Sequence, residues 1–147
     1  RGIGYVPQTG GLLPYLSVGA NIALPQRILG VLDPQLVDYL SRRLEIEDQM
    51  GKKPGSLSVG QRQRAAIARA LVHRPKLVLA DEPTASVHPS MADQILGLLI
   101  EQAAAVGAAL ILATHDPTRA RQLGFSLVAC QTAAASDGTN RSLFTRS

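Results

Sequence analysis

A parallel α/β fold is what this sequence predicts, and three observations predict it. Residues 77–80 and 109–113 are short, unbroken apolar runs, as expected of strands covered on both faces of a parallel sheet. Segments with helix start and stop signals lie between and after them. From residue 77 to 130 the chain therefore alternates strand, helix, strand, helix, strand, the rhythm of βαβ units.

Each element has a local reason. Residues 3–7 are a β-prone run, ended by Pro7 and the flexible Thr9-Gly10-Gly11. Ser17 is a cap for a helix reaching Leu24. Asp33-Pro34 pairs an N-cap with proline at the first helical position and predicts a helix to about Leu44. Residues 51–55 form a polar linker. Ser58 opens a helix to about His73, stopped before Pro75. Pro89 opens the next helix. Its apolar positions Met91, Ile95, Leu98, Leu99, Ala103 and Val106 fall at helical spacing, and Gly107 ends it. Asp116-Pro117 starts another helix, and 125–130 is a third strand of the sheet. The polar, small-residue tail from Thr132 reads either as a hairpin about Asp137-Gly138 or as loose chain. Residues 12–74 read as mostly helical and as a separate lobe.

Composition narrows the function. At 147 residues, 46% hydrophobic and 18% charged, the chain has globular composition and the length of one domain. A single Cys excludes a disulfide framework and a Cys-rich zinc site. The net charge of +4 concentrates in Arg62, Arg64, Arg69, Arg74 and Lys76, but 3% aromatics leaves few rings for bases to stack on. No nucleic-acid partner is expected. The longest apolar run, 103–113, falls well short of the roughly 20 residues of a membrane helix. The sequence is read as a soluble intracellular domain. Its start at Arg1, immediately before a strand, is read as the C-terminal portion of something longer.

Four features carry chemistry. The first is Leu77-Val78-Leu79-Ala80-Asp81-Glu82-Pro83, a buried-type strand ending in two carboxylates. Ligands of open α/β sheets bind outside the carboxyl ends of strands. Two acids there suit a phosphate-bound Mg²⁺, one as oxygen ligand and one as base for a water. The bland alternative is a pair of solvated acids before a turn. The second is Leu57-Ser58-Val59-Gly60-Gln61 at a helix start, where open amides and the helix dipole favour an anion. An ordinary capped helix has the same look. The third is His115, just past the strand 109–113, within reach of a γ-phosphate. The fourth is Gln8, an amide after the first strand that can hold a metal-bound water. Each of these two, taken alone, is compatible with a structural role.

Taken together and in this order, the four features resemble the nucleotide-binding domain of ABC transporters over about residues 3–131. Gly4-Tyr5-Val6-Pro7-Gln8 is similar to the Q-loop. Residues 57–61, continued by Arg62-Gln63-Arg64-Ala65-Ala66-Ile67-Ala68-Arg69-Ala70-Leu71, resemble the ABC signature and its helix. Residues 77–84 resemble Walker B with the catalytic glutamate, and His115 matches the switch histidine. The resemblance implies a P-loop NTPase-like parallel sheet core, partial here, with an inserted helical subdomain. Residues 1–11 and 75–131 would belong to the core, 12–74 to the signature subdomain and 132–147 to a tail.

The resemblance also implies roles. Asp81, with Gln8, would serve Mg²⁺. Glu82 would be the base or the residue that positions the attacking water. His115 would contact the γ-phosphate of ATP. Ser58, Val59, Gly60 and Gln61 would face ATP held by a second nucleotide-binding domain in a head-to-tail dimer. Transmembrane permease subunits would be the other partners, at the cytoplasmic face of the membrane. The segment Leu12-Leu13-Pro14-Tyr15-Leu16-Ser17-Val18, with Asn21, is similar to the lipoprotein-release and macrolide-exporter subgroup.

Three departures qualify this. No G-x-x-x-x-G-K-[ST] phosphate loop occurs in the chain, so the chain alone is expected to be inactive, with the loop expected before Gln8. Val59 stands where the common signature has Gly. His88 stands where the D-loop usually has Asp, which touches communication between the two sites. Two other readings remain: a soluble ABC-type ATPase acting on DNA or ribosomes, and a non-catalytic remnant. The short interval between Gln8 and Ser58, without Cys, favours the transporter over the DNA-repair type.

Overall fold

Strands form where the apolar runs predict them. The computed structural model describes residues 2–126 in full, and 128–134 and 140–146 as backbone. It divides into two units, 1–113 and 114–147. In the first, β1 (Ile3–Val6), β2 (Leu77–Asp81) and β3 (Ala109–Ala113) make a parallel sheet in the order β1-β2-β3. The register pairs Ile3 with Leu77, Val6 with Ala80 and Asp81 with Ala113.

The helices between β1 and β2 are α1 (Val18–Leu29), α2 (Pro34–Arg43) and α3 (Val59–Leu71). The Ser17 hydroxyl accepts from the Ala20 amide at 3.1 Å, and the Asp33 carboxylate from the Leu36 amide at 3.0 Å. The first helix was expected to reach Leu24, the residue before Pro25, whose ring nitrogen carries no donor. Instead α1 runs through Pro25 to Leu29. Buried Gln26 explains the extra turn. Its Nε2 donates to Val72 O (2.7 Å) and Asp33 O (3.2 Å), and its Oε1 accepts from Asp33 N (3.0 Å). These bonds reach the start of α2 and the end of α3, and they offset the proline's missing bond.

Helix α4 (Pro89–Ala105) joins β2 to β3 and presents Ile95, Leu99 and Ala103 to the core, with Met91, Leu98 and Val106 packed at its margin. Helix α3 is the most buried element, with Ala65, Ala66, Ile67, Ala68, Ala70 and Leu71 all inside. It lies on β1 at very short range. A Cβ built on Gly4 would sit 2.1 Å from the Ala70 carbonyl oxygen. The two faces of the sheet differ. Val6, Val78 and Ala80 are buried, whereas Ile3, Tyr5 and Ile111 on the opposite face are 56, 51 and 55% exposed.

The second unit contains α5 (Pro117–Gln122), started by the Asp116 carboxylate accepting from Arg119 N at 3.0 Å. It also contains β4 (Val128–Ala134) and β5 (Asn140–Arg146), which pair antiparallel. The strand expected at 125–130 as a third member of the parallel sheet is thus corrected. It starts at Val128 and pairs with β5, its near neighbour in sequence, where a short connection closes at low entropic cost. This is the hairpin alternative for the tail. Its connection, including Asp137-Gly138, lies outside the described residues.

Two expectations follow for stability. Gly4→Ala should cost about 3 kcal/mol in urea unfolding, because the methyl meets backbone that cannot move aside as a side chain would. His73 follows α3 by two residues and is 8% exposed. Its Nε2 lies 3.3 Å from Ile3 O, and buried Nδ1 has no partner among the described residues. Burial pushes its pKa down, the Ile3 hydrogen bond opposing in part. The folded state therefore takes up a proton less readily than the unfolded one. Stability should be full above about pH 6.5 and fall as pH drops toward the folded value. Thermal melts from pH 5 to 7.5 should show this slope, and His73→Asn should flatten it.

Candidate functional site

The sheet and α3 together decide where the predicted residues lie. Helix α3 runs antiparallel to β1, because Ala70 meets Gly4 while Gln63 donates from Nε2 to the carbonyl of Gln8. Five residues N-terminal to Gln63, at about 1.5 Å each, Ser58 projects beyond the carboxyl end of the sheet. Gln8 follows β1 at that end, and Asp81 and Glu82 terminate β2 there.

Asp81 is exposed and Glu82 half-buried. The Glu82 amide donates to Ala113 O at 2.8 Å, extending the β2–β3 ladder by one residue. Its backbone has φ +45°, one of three positive-φ non-glycine residues among those described. Such a conformation is strained for a residue with a Cβ and is a feature found at functional sites. The chain then turns through Ala85 N to Glu82 O (3.1 Å) and Val87 N to Thr84 O (3.1 Å) into α4.

The Ser58 end of α3 is a complete capping box. Ser58 Oγ accepts from Gln61 N at 3.2 Å, and Gln61 Oε1 accepts from Ser58 N at 2.9 Å. The amides of Val59 and Gly60 are the remaining donors of the first turn. Val59 is 38% exposed. Gly60 is buried, and a Cβ there would meet Met91 Cε at 3.0 Å. Its glycine thus serves the packing of α3 on the first turn of α4. The Gln61 side chain is engaged in the cap.

Gln8 is exposed at the tip of a turn closed by Gly10 N to Pro7 O at 3.1 Å. His115 follows β3 by two residues, is exposed, and belongs to the second unit. The structure therefore brings Gln8, Asp81, Glu82 and the α3 cap to one end of the first unit, and describes His115 separately. A cleft of about 410 Å³ lined by Leu32, Asp33, Val72 and Arg74 lies at the other end of α3 and contains none of these residues.

Two roles were not legible beforehand. His88 is the N-cap of α4: its Nδ1 accepts from Ser90 N at 3.2 Å and lies 2.8 Å from Ser90 Oγ. An Asp at this position would cap the same helix, so the departure is one of charge and not of helix initiation. The His-Pro pair ahead of an apolar helix was the available signal. Gln63 and Arg69 of α3 hold the Gln8 turn, and their signal was a buried amide on an alanine-rich core face.

The strain at Glu82 has a measurable consequence. Glu82→Gly should be more stable in denaturant than Glu82→Ala by about 1 kcal/mol, because both remove the carboxylate and only glycine adopts this conformation freely.

The chain is similar to known proteins over most of its length. The family described as ABC transporter matches residues 1–85. Lipoprotein-releasing system ATP-binding protein LolD 1 of Rhodospirillum rubrum is 40% identical over 124 residues, covering 82% of this chain and 55% of the relative. LolD of Hyphomonas neptunium is 42% identical over 119 residues, covering 79% of this chain and 52% of the relative. Among solved structures, the dimeric post-hydrolysis ATP-binding cassette MJ0796, bound to ADP and Pi, superposes with a TM-score of 0.69 at 32% identity. That match covers 82% of this chain and 55% of the cassette. The chain spans about half the length of the curated relatives it matches. With more than half of its residues inside the family match and its acid pair at the carboxyl end of a parallel sheet, the chain belongs to the ABC transporter family.

Proposed function

We propose that this chain forms part of the ATP-binding subunit of an ABC transporter of the lipoprotein-release type, coupling ATP hydrolysis to transport. The observation that carries the reading is the Asp81–Glu82 pair at the carboxyl end of β2, with Glu82 held in a left-handed backbone. The similarity to proteins named as lipoprotein-releasing ATP-binding subunits supports it.

The residues present fit Mg²⁺ and a nucleotide. Exposed Asp81 and Gln8 offer hard oxygen donors. Among the described residues no group of three or more His, Cys, Asp or Glu is arranged to hold a metal alone. Mg²⁺ is typically held by one or two carboxylates plus substrate phosphates, and bound there it would neutralise phosphate charge. Asp81 would hold the cation from one side while Gln8 orients a water of its shell. Glu82, carried on a rigid turn, would fix the attacking water and accept its proton. His115 would donate a hydrogen bond to the γ-phosphate. The amides of Val59 and Gly60, with the Ser58 hydroxyl, would face the nucleotide of a second copy in a head-to-tail dimer, the Gln61 side chain keeping that turn in shape. In such chemistry positioning and charge stabilisation do most of the work.

The helical segment 12–74 would act as the signature subdomain between the cation site and the transmembrane partners. No helix among the described residues is long and apolar enough to cross a membrane. The proposed location is peripheral, at the cytoplasmic face beside the permease subunits.

The test uses a protein in which a phosphate-loop segment precedes these residues. Glu82→Gln should cut phosphate release by about 10²–10⁴-fold, the range for loss of a general base, while MgATP binding persists. Asp81→Asn should instead raise the Mg²⁺ concentration needed for half-maximal rate. Unchanged turnover in Glu82→Gln would remove that residue from the role.

A further inference from the structure

The turn that carries Gln8 is fastened to α3 more firmly than an exposed loop requires. After β1 the chain reverses within Pro7–Gly11. Gly10 N donates to Pro7 O, and Gly10 and Gly11 follow with φ +82° and +63°. Three carbonyls of this turn are taken by two side chains of α3. Gln63 Nε2 donates to Gln8 O, and the Arg69 guanidinium donates from Nη2 to Gly10 O at 2.8 Å and from Nη1 to Gly11 O at 2.7 Å.

Both side chains are committed to this task. Gln63 is 1% exposed, and among the described residues its buried Oε1 has no donor, so the amide serves through its N–H alone. A buried acceptor left unpaired costs about 1–3 kcal/mol, which an aliphatic side chain would avoid. Arg69 is half-buried, and desolvation pulls its pKa below the usual arginine value. Among the described residues its hydrogen-bond partners are the two carbonyls, with no carboxylate in ion-pair range. A guanidinium fork on two oxygens gives direction as well as strength. Gln63 lies one turn inside the helix from the Ser58 cap, so the same rod carries both the cap and the Gln8 turn.

We infer that Gln63 and Arg69 are positioning residues that clasp the Gln8 turn to α3, making Gln8 and the first-turn amides of α3 one rigid body. A displacement of α3 then moves Gln8 with it, and Gln8 cannot leave its place at the sheet end while the clasp is closed. This inference rests on the proposed function for its meaning, because Gln8 and the α3 cap are the two parts of that site lying outside the acid pair. The clasp itself rests only on the contacts above.

Amide hydrogen exchange on the 147-residue chain, without nucleotide, tests the clasp directly. In Arg69→Met and in Gln63→Leu the Gly10 amide should exchange about tenfold faster, while amides of β2 and α4 keep their rates, as expected for local opening. Arg69→Lys should recover part of the protection, since an ammonium can serve one carbonyl but not fork to two. Unchanged exchange at Gly10 would overturn the inference. So would an equal acceleration across β2 and α4, because that is a loss of global stability. In a protein joined to a phosphate-loop segment, Arg69→Met should lower kcat about tenfold with KM for ATP within twofold, as misplacement without lost binding does. An unchanged kcat there would also overturn it. If the unaltered protein shows no turnover, the proposed function fails, and the exchange result still decides the clasp.

Discussion

The close seat of α3 on β1 is the contact on which the rest of the first unit depends. Backbone meets backbone there, since Gly4 offers no Cβ and the Ala70 carbonyl lies in the space one would fill. Small side chains allow the approach. Ala65, Ala66, Ala68 and Ala70 are all buried along the same helix. With α3 seated this closely on the strand, its antiparallel course places Gln63 opposite the Gln8 carbonyl and carries Ser58 past the sheet end. The Gln26 bracket secures the far end of the helix by bonding Val72 O.

From that contact the site acquires its shape. Parallel strands all finish at one end, and the residues just beyond them are free of the ladder and able to serve chemistry. Here β2 finishes in Asp81, and the ladder continues for one more bond, through the Glu82 amide to Ala113 O. That bond fixes a residue whose φ of +45° its own side chain disfavours. Strain of this kind persists only where neighbours over-determine it. Pro83, buried directly after it, adds to that determination.

Much of this was written in local residue patterns. Apolar runs marked β2 and β3, Asp33-Pro34 and Ser58 marked helix starts, and the abrupt Asp81-Glu82 marked the strand end. What escaped were matters of tertiary context. The run of α1 through Pro25 depends on bonds from Gln26 to residues far along the chain, which no local rule contains. The strand near 125–130 was read into the parallel sheet because composition does not reveal a partner, and β5 lies close in sequence. The acid pair could be placed from sequence because it needs only a strand and its direction. The service of Gly60 to Met91, of Gln61 to its own cap and of His88 to α4 required knowing what packs beside each. His115 remains placed only by its distance along the chain from β3.

The unequal faces of the sheet bear on how the molecule behaves in a tube. One face lies under α3 and α4, while Ile3 and Tyr5 of β1 and Ile111 of β3 stand out from the other, these being the two outer strands of the sheet among the described residues. Unpaired edges and an apolar face together make a surface that adheres to its like. Attraction of this origin weakens on cooling and strengthens with excluded salts such as sulfate. Cold, dilute, sulfate-free solutions therefore weaken that attraction between copies, and warming, concentrating or adding sulfate strengthens it.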